Sequence, residues 1–287
     1  MPFVTAFYRA LGTGMVISVD SPIDDKVRSA MESLIEDYEH VLSRFRNDSL
    51  IAAIGKAEHG GSFDFPDWCA PLFDLYDALF SATSGAIDPC VGEDLIRLGY
   101  DASLSFTVTQ DAPEHLGALR GRAVWGRDVT RHGTTLVTHE PVQLDFGACG
   151  KGYLVDLLGR MLQSSQFVID AGGDLLIHAE QPISVALEDP EDQSHAIGIA
   201  HIANGALCAS APSRRHWNVA VNERTQIAIH HLLNAIDGLP AQQTEASWAY
   251  VPANATLNLA RDYPTAVADG LATALFVSDV AQLQRTF

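Results

Sequence analysis

Three glycines within six residues constrain the fold of this chain more than any other sequence feature. Gly147, Gly150 and Gly152 follow a short apolar run, and Lys151 lies between the last two glycines. Apolar residues recur at helical spacing from Tyr153 onward, so we predict a strand, a tight turn and then a helix.

A turn of this kind suits an anionic ligand. Glycines let the backbone approach a ligand closely, and the N-terminus of the following helix favours negative charge. Lys151 adds a positive charge at the same place. The spacing matches neither GxGxxG nor GxxxxGK[ST], so the local pattern is compatible with a phosphate site and with an ordinary turn.

Composition excludes several classes of partner. The chain has 287 residues, 47% of them hydrophobic and 19% charged, as in a globular protein with a sizeable core. The net charge is −18, without a basic stripe, so we expect neither nucleic acid nor an anionic membrane as a partner. If the ligand is an anion, a metal ion or a few positively charged side chains must neutralise its charge locally. The alternative interpretation is that the acidic composition serves solubility.

The cysteines favour a reducing compartment. Cys69, Cys90, Cys149 and Cys208 are widely spaced and form no CxxC pair. The first residues lack a basic region followed by a long apolar run, and no segment approaches a membrane span of ~18 apolar residues. We therefore predict a cytoplasmic protein without membrane insertion.

Periodicity predicts alternating strands and helices. We expect a helix that begins with Ser21 as N-cap and Pro22 at its first position and continues to about residue 42. Further helices are expected over residues 67–83, after the glycine-rich turn and from residue 265; strands are expected over residues 3–8, 15–19, 167–171, 175–177, 183–187, 196–202 and 248–251. Neither repeats nor linkers divide the chain, so we predict one domain over residues 1–287.

Asp269 and Thr273 form a candidate metal site. They are four residues apart in a helical pattern, and therefore lie on one helix face. A carboxylate and a hydroxyl are hard oxygen ligands, which suit Mg²⁺ better than zinc. The structural alternative is an acid favoured by the helix dipole, with a threonine that bonds back to its own helix.

Other candidate positions also have structural interpretations. Asp88 precedes a proline and is either a turn residue or a ligand. The tip Gly172-Gly173-Asp174 either accepts part of a nucleotide or closes a plain hairpin. The segment around Arg214 combines small residues with arginines, which suit phosphate. His230 and His231 are metal ligands, acid–base groups or ordinary hydrogen-bonded side chains.

Taken together, these stretches resemble the FAD:protein FMN transferase family, the ApbE-like flavin transferases. The resemblance extends over nearly the whole chain, with the motifs in the family's order. It is carried by residues 10–13, 43–45, 85–89, 144–156, 172–174, 210–217, 231–238 and 268–273.

The resemblance implies an α+β fold, with mixed and antiparallel sheets covered by helices and FAD in a cleft. It also implies that Mg²⁺ holds the FAD pyrophosphate, that a threonine of an acceptor protein attacks the FMN phosphorus, and that AMP leaves. The metal ligands would be Asp269, Thr273 and the Ala148 carbonyl. The catalytic residues would be Lys151 and His231. The FAD-binding set would comprise Leu11, Ser43, Arg44, Asp88, Lys151, Gly172, Gly173, Asp174, Ser210, Arg214 and His231.

Two motifs depart from the family pattern and leave alternatives open. The usual Thr-Ser-Gly is Ala209-Ser210-Ala211 here, and Asn234-Ala235 replaces Asp-Pro. An asparagine amide cannot act as a base or as a charged ligand. The alternatives are a protein that only cleaves FAD to FMN and AMP, a non-catalytic flavin carrier or sensor, and glycine turns that are purely structural.

Overall fold

The computed structural model describes residues 1–222 and 225–287, and leaves the side chains at positions 9, 214 and 220–227 outside that description. The strands in chain order are β1 (Phe3–Ala10), β2 (Thr13–Val19), β3 (Gly61–Asp64), β4 (Val129–His132), β5 (Thr135–Thr138), β6 (Phe167–Asp170), β7 (Asp174–Glu188), β8 (Ala196–Ser210), β9 (His216–Asn222), β10 (Thr225–His230), β11 (Leu233–Asn234), β12 (Leu239–Pro240) and β13 (Ser247–Pro252).

The helices connect and cover these strands. They are α1 (Asp25–Leu42), α2 (Leu50–Lys56), α3 (Ala70–Ala82), α4 (Gly92–Arg97), α5 (Ala112–His115), α6 (Gly150–Gly159), α7 (Asn258–Asp262), α8 (Pro264–Ala274) and α9 (Val280–Leu283). Short 3₁₀ turns occupy Asp67–Cys69, Pro89–Val91, Ala118–Arg120 and Pro212–Arg214.

A six-stranded antiparallel sheet organises the fold. Its strand order is β1-β2-β6-β7-β8-β13, and each neighbouring pair is antiparallel. Strands β3, β5 and β4 form a separate three-stranded sheet, whereas β9 pairs with β10 and β11 with β12. The strands predicted over residues 3–8 and 15–19 are confirmed as β1 and β2, and the two strands expected over residues 183–187 and 196–202 are parts of the longer β7 and β8.

Helices α6 and α8 form the layer that lies against the main sheet. Helix α8 packs on α6, β8 and β13, while α3 packs on α8 and α1 on α6. Both central helices are buried on most of their circumference and carry small residues at their contact. A Cβ on Gly152 would lie 2.3 Å from the carbonyl oxygen of Thr265, so only glycine permits this close crossing.

A buried carboxylate also ties α6 to α8. Asp156 accepts hydrogen bonds from the backbone N–H groups of Thr265 (3.0 Å) and Ala266 (2.8 Å). These N–H groups belong to the first turn of α8, where no partner exists within the helix. The two helices therefore have a fixed relative position at the end of α6 as well as at its start.

Two local predictions were wrong. Helix α1 begins at Asp25, and its N-cap is Asp24, which accepts from the Val27 N–H at 2.8 Å, not Ser21. Aspartate caps as well as serine, so the sequence did not distinguish the two starts. Residues 139–149 form no strand before α6, although Val142, Leu144 and Phe146 alternate toward the core, because no neighbouring strand pairs with them.

We predict that Gly152→Ala lowers the free energy of unfolding by about 1–3 kcal/mol, because the new methyl group meets the rigid backbone of α8. Gly159→Ala in the same helix is the matched control. Its Cβ would lie 2.7 Å from Leu176 Cδ2, the end of a flexible side chain. It should cost less than about 1 kcal/mol, because alanine also favours the helix. Urea denaturation measures both; equal losses would contradict the close-crossing interpretation.

Candidate FAD and metal site at the start of helix α6

The first turn of α6 meets the middle of α8 at a cluster of charged and polar groups. Asp269 Oδ2 accepts a hydrogen bond from the Gly152 N–H at 3.0 Å. Its Oδ1 lies 3.5 Å from Lys151 Nζ. Cys149 supplies no side-chain cap for α6, so the carboxylate from α8 satisfies one of its free N–H groups. The dipole that favours Asp269 is therefore that of α6, and not that of its own helix.

Lys151 joins two buried carboxylates. Its ammonium group pairs with Asp174, whose side chain is 1% exposed, as well as with Asp269, which is 3% exposed. Burial lowers the pKa of Lys151, but the two carboxylates more than offset this effect and the pKa is raised overall. Oδ1 of Asp174 is buried and has no hydrogen-bond partner among the described residues. The cluster therefore retains a carboxylate oxygen for a further cation or donor.

Thr273 connects α8 to the turn before α6. Its Oγ1 donates to the carbonyl oxygen of Ala148 at 3.2 Å and lies 3.4 Å from Ser210 Oγ at the end of β8. The hydroxyl of Thr273 thus bonds to the turn before α6. The structural alternative, in which this hydroxyl bonds back to its own helix, does not describe the contact seen. Asp269, Thr273 and the Ala148 carbonyl, which the sequence resemblance grouped together, meet at one place.

These donors fit a small, hard cation. Oxygen ligands at about 2.1 Å from Mg²⁺ in octahedral geometry lie about 3 Å apart, close to the 3.2 Å between Thr273 Oγ1 and the Ala148 oxygen. Within residues 1–222 and 225–287, no group of three or more His, Cys, Asp or Glu residues could hold a metal ion. The candidate ligands at the start of α6 differ from such groups, because they combine the carboxylate of Asp269 with the hydroxyl of Thr273 and the carbonyl of Ala148.

The charges at this cluster are not balanced. Burial raises the pKa of Asp269, the nearby Asp174 carboxylate adds to the rise, and Lys151 opposes it. A single ammonium group serves two carboxylates in a region with little water. Additional positive charge is therefore favourable at this place.

The glycine tip between β6 and β7 lies at the edge of the same cluster. Gly172 and Gly173 have φ values of 73° and 110°, which only glycine adopts readily. Both N–H groups bond to Asp170, at 2.9 and 3.2 Å. The tip borders a small pocket of about 50 Å³, which is lined by Gly172, Gly173, Glu188, Pro190, Ala209, Ser210, Ala211, Ser213, Ala246 and Trp248.

Arg44 lies in a second group of residues, beside aromatic rings. Its guanidinium carbon lies 4.2 Å from the centroid of the Phe45 ring and 4.7 Å from that of Tyr100. Arg44 Nε donates to Asp145 at 2.5 Å. Its Nη2 is buried without a hydrogen-bond partner among the described residues. A buried donor of this kind is available to an acceptor on a ligand.

His231 faces this second group. Its ring centroid lies 6.5 Å from that of Tyr100, and its Nδ1 donates to the Arg215 carbonyl at 3.2 Å. This bond places the proton of the neutral ring on Nδ1 and leaves Nε2 as an acceptor. Burial, together with the charge of Lys151, lowers the pKa of His231 to about 4. The ring is therefore neutral at pH 7 and lies within electrostatic range of Lys151.

Other predicted site residues lie apart from the Lys151 cluster. Asp88 is buried against Arg122 (3.4 Å) and caps the Cys90 N–H (2.8 Å), contacts that belong to the core. Leu11, with φ of 54°, donates its N–H to Glu39, and Ser43 is the C-cap residue that follows α1. The side chain of Arg214 lies outside the described residues.

Sequence reasoning did not single out Asp145, Tyr100 or Tyr76. Tyr76 accepts the Ala148 N–H at 3.2 Å, and Asp145 holds Arg44. Asp145 stands in the glycine-rich motif and offered a signal, but the two tyrosines lie in ordinary apolar patterns. Their contacts join residues 72 and 56 positions apart, which local spacing does not reveal.

Comparison with known proteins identifies the family. The model described as "ApbE family" matches residues 11–286. This chain belongs to the ApbE family.

Its relatives include two curated proteins named FAD:protein FMN transferase. The one from Klebsiella pneumoniae (strain 342) is 23% identical over 274 residues, which cover 91% of this chain and 74% of the relative. The one from Treponema pallidum (strain Nichols) is 27% identical over 286 residues, covering 88% of this chain and 72% of the relative. The predicted family and its relationship to transferase enzymes are confirmed.

The fold agrees with a solved member of the ApbE family. The ApbE protein of Thermotoga maritima matches with a TM-score of 0.78 at 20% identity, over 98% of this chain and 89% of that one. The predicted α+β fold is confirmed. Among the described residues, every helix falls short of the length and apolar character needed to cross a bilayer.

We predict that His231 titrates far below an ordinary histidine. An NMR pH titration should show one ring resonance, missing from His231→Gln, with a pKa near 4 instead of 6.5, because burial disfavours the charged ring. Above about pH 5 that resonance should not move. A midpoint between pH 6 and 7 would contradict the partly buried position of the ring.

Proposed function

We propose that this chain is a magnesium-dependent FAD:protein FMN transferase, which moves FMN from FAD to a threonine of an acceptor protein and releases AMP. The carrying observation is the meeting of Lys151, Asp269, Thr273 and the Ala148 carbonyl at the start of α6. The names of the two curated relatives support this proposal.

In this proposal the carboxylate of Asp269, the hydroxyl of Thr273 and the carbonyl of Ala148 hold Mg²⁺. The bound ion supplies neutralisation of the negative charge on the FAD diphosphate. Lys151 contributes a further positive charge, since its side chain is 36% exposed and its ammonium lies beside Asp269. The positive end of the α6 dipole favours the same phosphate oxygens.

The transfer exchanges one P–O bond for another. The threonine oxygen of the acceptor forms a bond to the FMN phosphorus, while the bond from that phosphorus to the bridging oxygen breaks. The electron pair of the broken bond leaves with AMP. We propose that Nε2 of His231 takes the threonine proton, because the ring is neutral and its Nδ1 is committed to the Arg215 carbonyl.

The remaining predicted residues would hold the dinucleotide. Gly172 and Gly173 border the small pocket at the β6–β7 tip, which Ser210 also lines, and Asp174 follows them at the start of β7. Arg44 offers the buried Nη2 donor. We retain Leu11, Ser43, Asp88 and Arg214 in the proposed FAD-binding set on the family resemblance.

The setting of the enzyme is also a proposal. All four cysteines are buried free thiols, so we propose that the protein works in a reducing compartment, the cytoplasm. We propose that residues 1–287 act as one domain, because a single apolar cluster joins Phe7 at one end to Leu283 at the other. The partners would be FAD and an acceptor protein, without nucleic acid or membrane insertion.

One observation favours a second candidate, FAD cleavage without transfer. Asn234 replaces the family's aspartate, and its Oδ1 accepts from the Ile236 N–H at 3.0 Å, so the side chain stabilises a turn. Such a chain would keep the metal cluster, but water would replace the acceptor threonine in the reaction. The products would be FMN and AMP. A protein that binds FAD and releases no AMP would be a carrier or sensor.

We predict that Asp269→Ala reduces AMP release by at least about 100-fold, because the substitution removes the only carboxylate of the proposed ligand set. The assay combines the purified chain, FAD, Mg²⁺ and candidate acceptor proteins, and measures AMP and the flavin fluorescence of acceptor bands. Asp262→Ala, an exposed position in the preceding helix, is the matched control and should retain full activity.

The outcomes separate the candidate functions. Labelled acceptor together with AMP supports the transferase. AMP and FMN without labelled acceptor support the cleavage-only enzyme, and tight FAD binding without AMP supports a carrier. Undiminished AMP release by Asp269→Ala would contradict the proposed site.

A further inference from the structure

Two buried tyrosines hold the backbone on either side of the Ala148 carbonyl. Tyr76, on α3, accepts a hydrogen bond from the Ala148 N–H at 3.2 Å. Tyr38, on α1, donates to the Gly150 carbonyl at 2.7 Å. The turn that leads into α6 is thus fixed by hydroxyl groups from two other helices.

The rings of both tyrosines are fixed by packing. Tyr76 is 1% exposed and contacts the Phe146 ring edge-on, with centroids 5.1 Å apart. Tyr38 is 2% exposed and stacks on Trp68, with centroids 5.2 Å apart. Because buried polar groups without a partner are costly, each hydroxyl constrains the peptide group that it contacts.

The direction of the Ala148 carbonyl depends on these constraints. A side-chain ligand reaches a metal by rotating its χ angles, whereas a carbonyl ligand moves only with the backbone. The peptide that carries this oxygen lies between the group held by Tyr76 and the group held by Tyr38. Thr273 Oγ1 contacts the same oxygen from α8 at 3.2 Å.

We propose that Tyr76 and Tyr38 are positioning residues that fix the Ala148 carbonyl as a ligand for a divalent cation. The inference rests on the proposed function, since it requires a cation at Asp269 and Thr273. It adds to that function two residues that contact neither the cation nor FAD and act through the backbone.

Tyr153 offers a matched control in the same core. It is 1% exposed, and its hydroxyl donates to the Trp68 carbonyl instead of the turn before α6. Tyr153→Phe therefore removes a buried hydroxyl of the same kind. It leaves both constraints on the Ala148 carbonyl intact.

The test measures the binding of Mn²⁺, as a probe for the divalent site, to the metal-depleted full chain saturated with FAD. Free Mn²⁺ is followed by EPR at low temperature and corrected for Mn²⁺ bound by FAD alone. Tyr76→Phe and Tyr38→Phe should each raise the Mn²⁺ dissociation constant about fivefold or more, whereas Tyr153→Phe should stay within about twofold. Thermal midpoints of the three variants should be similar.

Three results would overturn the inference. If Tyr76→Phe and Tyr38→Phe bind Mn²⁺ as the unaltered chain does, the tyrosines do not position the ligand, although the proposed function survives. If Tyr153→Phe weakens binding equally, their role is general packing. If the unaltered chain binds no Mn²⁺ in the presence of FAD, the metal-dependent function fails together with the inference.

Discussion

The close crossing of α6 and α8 at Gly152 is the constraint on which the rest of the site depends. A methyl group at this position would lie 2.3 Å from the Thr265 carbonyl, so the backbones meet with no side chain between them. This contact brings Asp269 to the first turn of α6, where it accepts the Gly152 N–H. It also brings Thr273 to the Ala148 carbonyl. A larger separation of α6 and α8 would break both hydrogen bonds.

Electrostatics then give the crossing its chemical character. The chain carries a net charge of −18. At the site, the positive charge of Lys151 lies between the carboxylates of Asp174 and Asp269. Two buried carboxylates with one ammonium group leave a local deficit of positive charge. A divalent cation corrects that deficit and gives the cluster the positive charge that a polyanionic ligand needs, which links the acidity of the cluster to its proposed use of FAD.

Much of the fold was predictable because local patterns report local structure. The first hairpin, α1, α3, the β6–β7 turn and α8 all follow from apolar spacing and from glycine positions. The strand predicted before α6 was wrong, because alternating burial at Val142, Leu144 and Phe146 arises from core packing without a pairing strand. The start of α1 was misplaced because Ser21 and Asp24 are equally good caps, and only the chain's path decides between them.

The sequence by itself determined the family, the side chains available for chemistry and the placement of Asp269 and Thr273 on one helix face, because a helical repeat is a local property. Only the tertiary structure decided that the Ala148 carbonyl meets Thr273, that Asp174 pairs with Lys151, and that buried tyrosines hold the turn between them. These contacts join residues 125, 23 and 72 positions apart. No local period relates such positions; they meet because distant helices and strands share one core.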